Sequence, residues 1–273
     1  MKSYGKHALW VLLCLFLPVT AQAAELQLTS PSGVVSVYQT DELLSHPQAR
    51  DIVVANDGGY GQDMTYRAVP LAAVIGDASA VDDQTGLEVI ALDGFVANIP
   101  VPLVLRDRDE GAQAWLAIEP EASPWPNLPG KNVSAGPFSV VWIDGPASNI
   151  RSEQWPYQVA KIGYAEFPTA RWPQLALAED ATENAKHGKT IFIDQCFACH
   201  RMNGAGITEL GPDLNLPMNP VEYFMPDALF MLIRDPATVR HWPEMQMHGF
   251  TDDQLSDGEI HDVIAYLTAM ASR

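Results

Sequence analysis

Two cysteines and a histidine are grouped in one short run of the sequence, Cys196-Phe197-Ala198-Cys199-His200. This C-x-x-C-H spacing is typical of covalent c-type haem attachment. Each thiol can add to one vinyl group of the same haem, and the histidine that follows can bind the iron as its proximal axial ligand. The sequence therefore predicts one covalent haem c on Cys196 and Cys199, with His200 as an iron ligand.

Other uses of a C-x-x-C pair fit this sequence less well. A structural zinc site would need further Cys or His ligands at metal spacing, and the remaining cysteine is Cys14, near the start of the chain. A thioredoxin-like redox pair is expected in a βαβ context and does not require the histidine. A disulfide between two residues this close would be strained. Haem attachment is the interpretation that explains all three residues.

The elements that must position this motif are predicted to be helices. A helix over Glu183–Ala198, with Thr182 as its N-cap, ends at the motif, and a closing helix is predicted over Ser256–Met270. Between them, Gly204 and Gly206 indicate a loop that passes close to the haem. Apolar residues repeat at near-helical spacing along the closing helix, at Ile260, Val263, Ile264 and Leu267.

Several short motifs follow one another in this part of the chain: the haem motif at a helix end, Leu-Gly-Pro-Asp-Leu at 210–214, a middle helix over 228–235 ended by Pro236, and Tyr266-Leu267 in the closing helix. With them, residues 183–273 resemble the class I cytochromes c. The resemblance implies an all-α domain that transfers single electrons. It also implies that the Pro212 carbonyl accepts a hydrogen bond from Nδ1–H of His200 and so orients the ring.

The sixth iron ligand follows from the same resemblance, which places a methionine three residues before a phenylalanine, ahead of the closing helix. Met247 and Phe250 fit, although His248 stands where a proline is usual. Met245 is the nearest alternative, a bis-histidine iron through His248 or His241 is another, and an open position is a third. Met245, Met247 and His248 could also bind Cu(I) together. We predict Met247 as the ligand.

The first part of the chain is predicted to be rich in β-strands, because short apolar runs alternate there with turn residues. Asp93-Gly94, between two such runs, is a two-residue hairpin signal, and a short helix is predicted over Leu71–Ile75. The proline density from Pro124 to Pro129 predicts a loop. The predicted strands are 34–38, 51–55, 87–92, 95–99, 114–118, 138–143 and 157–165.

Another series of short motifs lies in this region: Tyr66-Arg67-Ala68-Val69-Pro70-Leu71, Ala91-Leu92-Asp93-Gly94-Phe95, Gly136-Pro137-Phe138, Trp155 and Val159-Ala160-Lys161-Ile162. With them, residues 24–172 resemble the molybdopterin-binding domain of the sulfite-oxidase type. Members of that family with an active molybdenum centre bind the metal through a protein cysteine, and this region has none. We therefore expect no thiolate-bound molybdenum and no molybdopterin.

The first residues have the pattern of a secretory signal peptide. Lys2 and Lys6 precede the apolar run Ala8–Leu17, and a small-x-small cleavage site lies at 21–23. The apolar run is too short to span a bilayer. We expect residues 1–23 to be removed and the mature protein to be periplasmic, soluble and without a membrane span.

The charge is strongly acidic, with 34 Asp and Glu against 16 Lys and Arg and a formal net charge of -18. Nucleic acids and anionic membrane surfaces are disfavoured as partners, because both repel an acidic protein. A redox partner protein with a basic docking face is expected from charge complementarity. The simpler interpretation is that the charge keeps an exported protein soluble.

The sequence thus predicts an α+β protein of two domains. A β-rich sulfite-oxidase-like domain covers 24–172, a linker 173–182, and an all-α class I cytochrome c domain 183–273. The predicted function is a periplasmic mono-haem cytochrome that carries single electrons to or from a partner oxidoreductase, with the β domain as a docking or scaffold module. The alternatives are a dehydrogenase or enzyme subunit whose β domain binds a substrate or pterin and reduces the haem, and a haem-based sensor with a labile Met247. No catalytic residue is predicted.

Overall fold

The computed structural model describes residues 24–78, 81–82, 84–106, 111–243 and 245–271. The predicted signal peptide lies outside the described residues. Strands dominate up to Glu166 and helices dominate from Pro168 onward, and we call these two parts the β region and the helical region. In the part of the chain that the structure describes, no helix is long and apolar enough to cross a membrane.

The strands of the β region form two sheets. Their bounds are β1 Glu25–Thr29, β2 Val35–Gln39, β3 Arg50–Val54, β4 Met64–Pro70, β5 Thr85–Ala91, β6 Val96–Pro100, β7 Gln113–Ile118, β8 Phe138–Ile143 and β9 Val159–Glu166. The five-stranded sheet has the order β2-β1-β9-β5-β6, and the four-stranded sheet has the order β3-β4-β7-β8. β1 and β9 pair in parallel, and the other described pairs are antiparallel. Three short helices connect strands, α1 Thr40–Leu44, α2 Leu71–Ile75 and α3 Val101–Val104.

Most predicted elements of the β region are present. β8 and α2 have the predicted bounds, and the other predicted strands differ by one or two residues at their ends. The hairpin at Asp93-Gly94 is present, but its loop has three residues and not the predicted two, since Ile90 of β5 lies opposite Val96 of β6 and the N–H of Ala91 donates to the Phe95 carbonyl at 2.9 Å. Gly94 has a φ of 91°. The strands β1 and β4 were not predicted, although buried residues alternate with more exposed ones along β1.

The two sheets share one apolar core. Leu26, Leu87 and Ile162 of the five-stranded sheet pack with Leu116 and Phe138 of the four-stranded sheet. Because successive side chains of a strand point to opposite faces, the four-stranded sheet also has a second apolar face. Loops cover that face with buried side chains that include those of Tyr60 and Leu128. The β region therefore buries its apolar residues on both sides of one sheet.

The helical region contains α4 Pro168–Arg171, α5 Glu183–Ile191, α6 Pro220–Tyr223, α7 Pro226–Arg234, α8 Pro236–Val239 and α9 Asp257–Ala271. Thr182 caps α5 as predicted, since its Oγ1 accepts a hydrogen bond from the N–H of Ala185 at 3.2 Å. The predicted helix over Glu183–Ala198 is shorter in the structure, because a π-helical turn follows α5 at Phe192–Cys196. An i→i+5 turn brings residues five apart closer to the same face, so Phe192 and Phe197 both reach the core, with ring centroids 5.9 Å apart.

Helices α5 and α9 cross in close contact. Gly188 of α5 lies against the backbone of Asp262 in α9. A Cβ on residue 188 would overlap the Asp262 carbonyl group. The rings of Phe192 and Tyr266 then pack together, with centroids 5.1 Å apart. This contact fixes the start of the π-helical turn relative to the last helix.

The predicted linker 173–182 is partly packed into the helical region. Pro173–Leu175 forms a 3-10 turn, and Leu175 is fully buried in the apolar core of the helical region. The Leu175 carbonyl also accepts a hydrogen bond from the hydroxyl of Tyr266 at 3.3 Å. The linker prediction rested on the small, acidic composition of 176–181 and overlooked the apolar residue before it.

Candidate functional site

The C-x-x-C-H run begins where the π-helical turn ends. The N–H groups of Cys199 and His200 donate to the Cys196 carbonyl at 3.1 and 2.8 Å, so a tight turn groups the three residues. Both thiols are free and half-buried. Burial, together with the nearby Glu153 carboxylate, raises the pKa of Cys196 and of Cys199 to about 12.

His200 is oriented by the loop that follows it. Its Nδ1 lies 2.9 Å from the Pro212 carbonyl oxygen, the contact that the resemblance implies, and Nε2 is then the nitrogen available to a metal. Burial lowers the pKa of His200, which favours the neutral imidazole that metals bind. A Cβ on Gly211 would lie 2.6 Å from ring atoms of His200 and 2.8 Å from the Cys199 carbonyl. A side chain at position 211 would therefore displace the ring.

One carboxylate holds the loop after His200. Asp213 accepts hydrogen bonds from four backbone N–H groups, those of Asn203 at 3.1 Å, Gly204 at 2.7 Å, Asn215 at 2.8 Å and Leu216 at 3.0 Å. Hydrogen bonds to an ionised carboxylate are stronger than neutral ones. Sequence reasoning gave Asp213 no role of its own, although an Asp that bonds the backbone two residues onward is a common turn signal.

Met245 and Met247 lie in the irregular stretch between α8 and α9. Both are half-buried, whereas His241 is exposed. The stretch ends at Phe250, which is buried and whose N–H donates to the Arg234 carbonyl at 3.0 Å. The same loop carries both thioethers, so Met247 stays the prediction for the sixth ligand and Met245 stays its alternative.

His248 is engaged by the β region. Its Nε2 lies 3.1 Å from Oε1 of Glu153, and the hydrogen bond to that carboxylate raises the pKa of His248. The contact occupies Nε2 and leaves Nδ1 free. It therefore does not decide between His248 and a methionine at the sixth position, because a ligating histidine commonly bonds a carboxylate through its other nitrogen.

Comparison with known proteins concerns the helical region. A protein-family model described as "Cytochrome c" matches residues 185–271. This range is a cytochrome c domain. Such a domain binds haem and carries electrons, and the match includes the C-x-x-C-H motif and the loop of Met247. No curated protein matches the sequence. The family match does not reach the β region, whose resemblance to the sulfite-oxidase type stays a prediction.

The residues of the cytochrome c domain fit a covalent haem. Gly206 has a φ of +109°, and a Cβ there would lie 3.2 Å from the ring of Phe197, so a glycine is needed for the chain to pass beside the motif. Nε of Arg201 is buried without a hydrogen-bond partner among the residues that the structure describes. Haem propionates are anionic acceptors of the kind that a guanidinium pairs with.

The exposed apolar residues of the cytochrome c domain fit the same group. Between the motif and the methionine loop, large apolar side chains remain exposed at Ile207, Leu216, Met218, Tyr223, Met225, Met231, Val239 and Trp242. A small soluble domain rarely leaves so many exposed without a binding partner. A porphyrin is a large apolar group that such side chains can cover.

The β region packs directly against the motif. The N–H of Val96 in β6 donates to the carbonyl of Ala198, between the two cysteines, at 3.3 Å. The hydroxyl of Ser152 donates to Oε1 of Gln195 at 2.9 Å. Nη2 of Arg151 lies 2.5 Å from Oε1 of Glu259 in α9, and both side chains are largely buried. Sequence reasoning missed these residues, because contacts between distant segments leave no local pattern.

Proposed function

We propose that the protein is an exported, periplasmic mono-haem cytochrome that carries single electrons to or from a partner oxidoreductase. In this proposal Cys196 and Cys199 hold the haem, and His200 and Met247 are its axial ligands. The observation that carries the proposal is the turn on which two free thiols stand beside an imidazole whose Nδ1 is already bonded to Pro212. This turn offers one metal-binding nitrogen and two attachment points.

A bound haem supplies reversible one-electron transfer at its iron. The chain holds this group in one place through Cys196 and Cys199. The Pro212 carbonyl keeps the His200 ring in one orientation, and the close contact at Gly211 keeps the ring from turning. Met247 would supply a thioether to the iron, and a thioether ligand favours the ferrous state. Since both axial positions are then occupied by side chains, the site suits a carrier better than a catalyst.

The β region is proposed as a docking or scaffold module. Its support is the group of contacts around the motif, made by Val96, Arg151, Ser152 and Glu153. They join elements anchored in the sheets to the turn that holds the haem, so the cytochrome c domain keeps a fixed orientation on the β region. A partner bound to the β region would then meet the haem at a defined distance.

The proposed partner is an oxidoreductase with a basic docking face. The support is the net charge of -18, since complementary charges raise association rates. The rate of electron exchange with such a partner is expected to fall as ionic strength rises. A rate that does not depend on salt would count against electrostatic docking.

Export is proposed from the pattern of residues 1–23. The protein is expected in the periplasmic fraction with Ala24 as its first residue, and mass spectrometry of the purified chain tests this. A chain that keeps residues 1–23, or that stays in the cytoplasm with its haem attached, would contradict the proposal.

The deciding experiment measures haem, molybdenum and pterin per chain in protein purified from its native periplasm. One haem with neither molybdenum nor pterin is expected. Pterin in near-equal amount to haem would instead favour an oxidoreductase whose β region reduces the haem. A variant with Cys196→Ser and Cys199→Ser, purified in the same way, is the control and should carry no covalent haem.

A further inference from the structure

The loop that carries Met247 is tied to the β region through its neighbour His248. Nε2 of His248 lies 3.1 Å from Oε1 of Glu153, a residue more than ninety positions earlier in the chain. We propose that Glu153 is a positioning residue for the sixth iron ligand, which holds His248 and thereby keeps the Met247 loop in place for iron binding. This inference rests on the proposed function, in which Met247 is that ligand.

Glu153 suits this role because it is itself firmly held. Its side chain is 8% exposed, and it lies in the 3-10 turn Ser152–Gln154. Oε1 of Gln154 accepts a hydrogen bond from the N–H of Arg151 at 2.9 Å. The Gln154 carbonyl accepts another from Nε1 of Trp142 at 2.7 Å. Trp142 is buried in the core shared by the two sheets, so the interior of the β region sets the position of Glu153.

The loop needs such a support. Residues 240–243 and 245–249 form no helix or strand, and His248 does not fix its own φ as a proline would. Beyond the loop, Arg234 anchors Phe250, since its Nη1 donates to the Phe250 carbonyl at 2.6 Å. The Glu153–His248 hydrogen bond adds an anchor directly beside Met247, and this anchor belongs to the other region of the molecule.

Loss of this hydrogen bond should release the loop. A hydrogen bond to a charged group contributes more than a neutral one. Because the His248 side chain is 57% exposed, solvent competes for this contact, and we expect its removal to shift the equilibrium between bound and released Met247 by roughly two- to fivefold toward release. A thioether ligand favours ferrous iron, so the reduction potential should fall when Met247 is released.

The test uses the full-length holoprotein with Glu153→Ala. In the ferric protein, the weak red absorption band of a methionine-ligated haem should be weaker than in the wild type. The ferrous protein should bind carbon monoxide without denaturant, and the reduction potential should be lower than in the wild type. Haem per chain and far-ultraviolet circular dichroism establish that the variant is folded and loaded.

Four further variants separate positioning from a general weakening of the structure. Glu153→Gln keeps an acceptor oxygen and should retain most of the band. His248→Ala should reproduce Glu153→Ala, and the double variant should lose no more than either alone, because the two residues act through one contact. Glu259→Gln weakens the ion pair with Arg151, another contact between the two regions, and should leave the band and the carbon monoxide resistance unchanged.

Two results would overturn the inference. One is a full band with carbon monoxide resistance in both Glu153→Ala and His248→Ala. The other is an equal loss in Glu259→Gln, since any loosening between the regions would then have the same effect. Failure of the proposed ligation is recognised separately. A wild type without the band, or a Met247→Ala variant that keeps it, would remove Met247 as the ligand whatever Glu153 does.

Discussion

The β region and the helical region complete their interiors in different ways. In the β region two sheets share one core, and loops cover the outer face of the four-stranded sheet. Its exposed large apolar residues include a group at the edge strand β2, Val34, Val35 and Val37, and four isolated ones, Val53, Leu92, Leu105 and Val133. In the helical region the exposed apolar residues are concentrated between positions 207 and 242, close in sequence to the haem motif. The exposed apolar residues of the helical region thus lie where a haem can cover them.

Polar side chains hold the loops of the helical region, where apolar packing among side chains is incomplete. Asp213 binds four backbone N–H groups, and Arg234 binds the carbonyls of Phe250 and Leu255. Asn219 is fully buried and donates to the Leu267 carbonyl at 3.0 Å. Where apolar packing among side chains is incomplete, such bonds between side chains and backbone hold the chain in place.

The prediction with the largest expected effect removes the two cysteines that would hold the haem. Cys196→Ser combined with Cys199→Ser should abolish covalent haem and cost the helical region more than about 5 kcal/mol, a large share of the stability of an ordinary domain. The thermal transition of the helical region should disappear, while that of the β region persists. Circular dichroism melts and limited proteolysis distinguish the two. A helical region that melts unchanged without haem would refute the comparison.

A second test changes the close contact between α5 and α9. Gly188→Ala places a Cβ against the Asp262 carbonyl and should destabilise the helical region by about 2–4 kcal/mol, measured by denaturant unfolding. Gly258→Ala is the matched control, because its Cβ would meet its nearest neighbour, Ser256, only at 4.0 Å. That change should be neutral or stabilising by about 0.5–1 kcal/mol. Equal effects of the two changes would contradict the close contact.

A third test concerns the polar support of the loop after His200. Asp213→Ala leaves four backbone donors without their acceptor and should cost about 2–3 kcal/mol, together with faster hydrogen exchange at Gly204 and Asn215. Asp213→Asn keeps one acceptor oxygen and should fall between the wild type and Asp213→Ala. The unfolding of the β region should not change, and a loss there would show that the loop stabilises both regions.

The smallest expected effect is a pH dependence of the contact between the regions. Burial raises the pKa of Glu259, but hydrogen bonds from Arg151 and Ser256 outweigh it and lower the pKa from 4.5 to about 2. A carboxyl with a depressed pKa stabilises the folded protein above its unfolded pKa, and this contribution is lost as pH falls from about 4.5 to about 2. We expect a loss of about 1–2 kcal/mol, less than the full pKa shift would give, because a fifth of the Glu259 side chain is still exposed to solvent. The unfolding free energy measured between about pH 4.5 and pH 2 should vary less in Glu259→Gln than in the wild type. Identical pH profiles for the two proteins would refute the assignment of this pH dependence to Glu259.

How much the sequence could predict also differs between the regions. In the helical region, fixed local spacing identified Cys196, Cys199 and His200 as candidates, and the resemblance to the class I cytochromes c implied the role of Pro212. In the β region, alternation located most strands but gave no sheet order. Contacts such as that of Glu153 with His248 were not predictable from either pattern, because they join segments that only the packed fold brings together. The π-helical turn was missed for the same reason, since it depends on how Phe192 and Phe197 pack.

The parallel pairing of β1 with β9 sets an order of events as the chain is made. Leu28 of β1 lies beside Ile162 of β9, so a chain synthesised from its N-terminus cannot close the five-stranded sheet until the last strand has emerged. Contacts between residues so far apart in sequence form slowly. The sheet that includes β6, the strand in contact with the haem motif, is therefore complete only when β9 has joined β1 and β5.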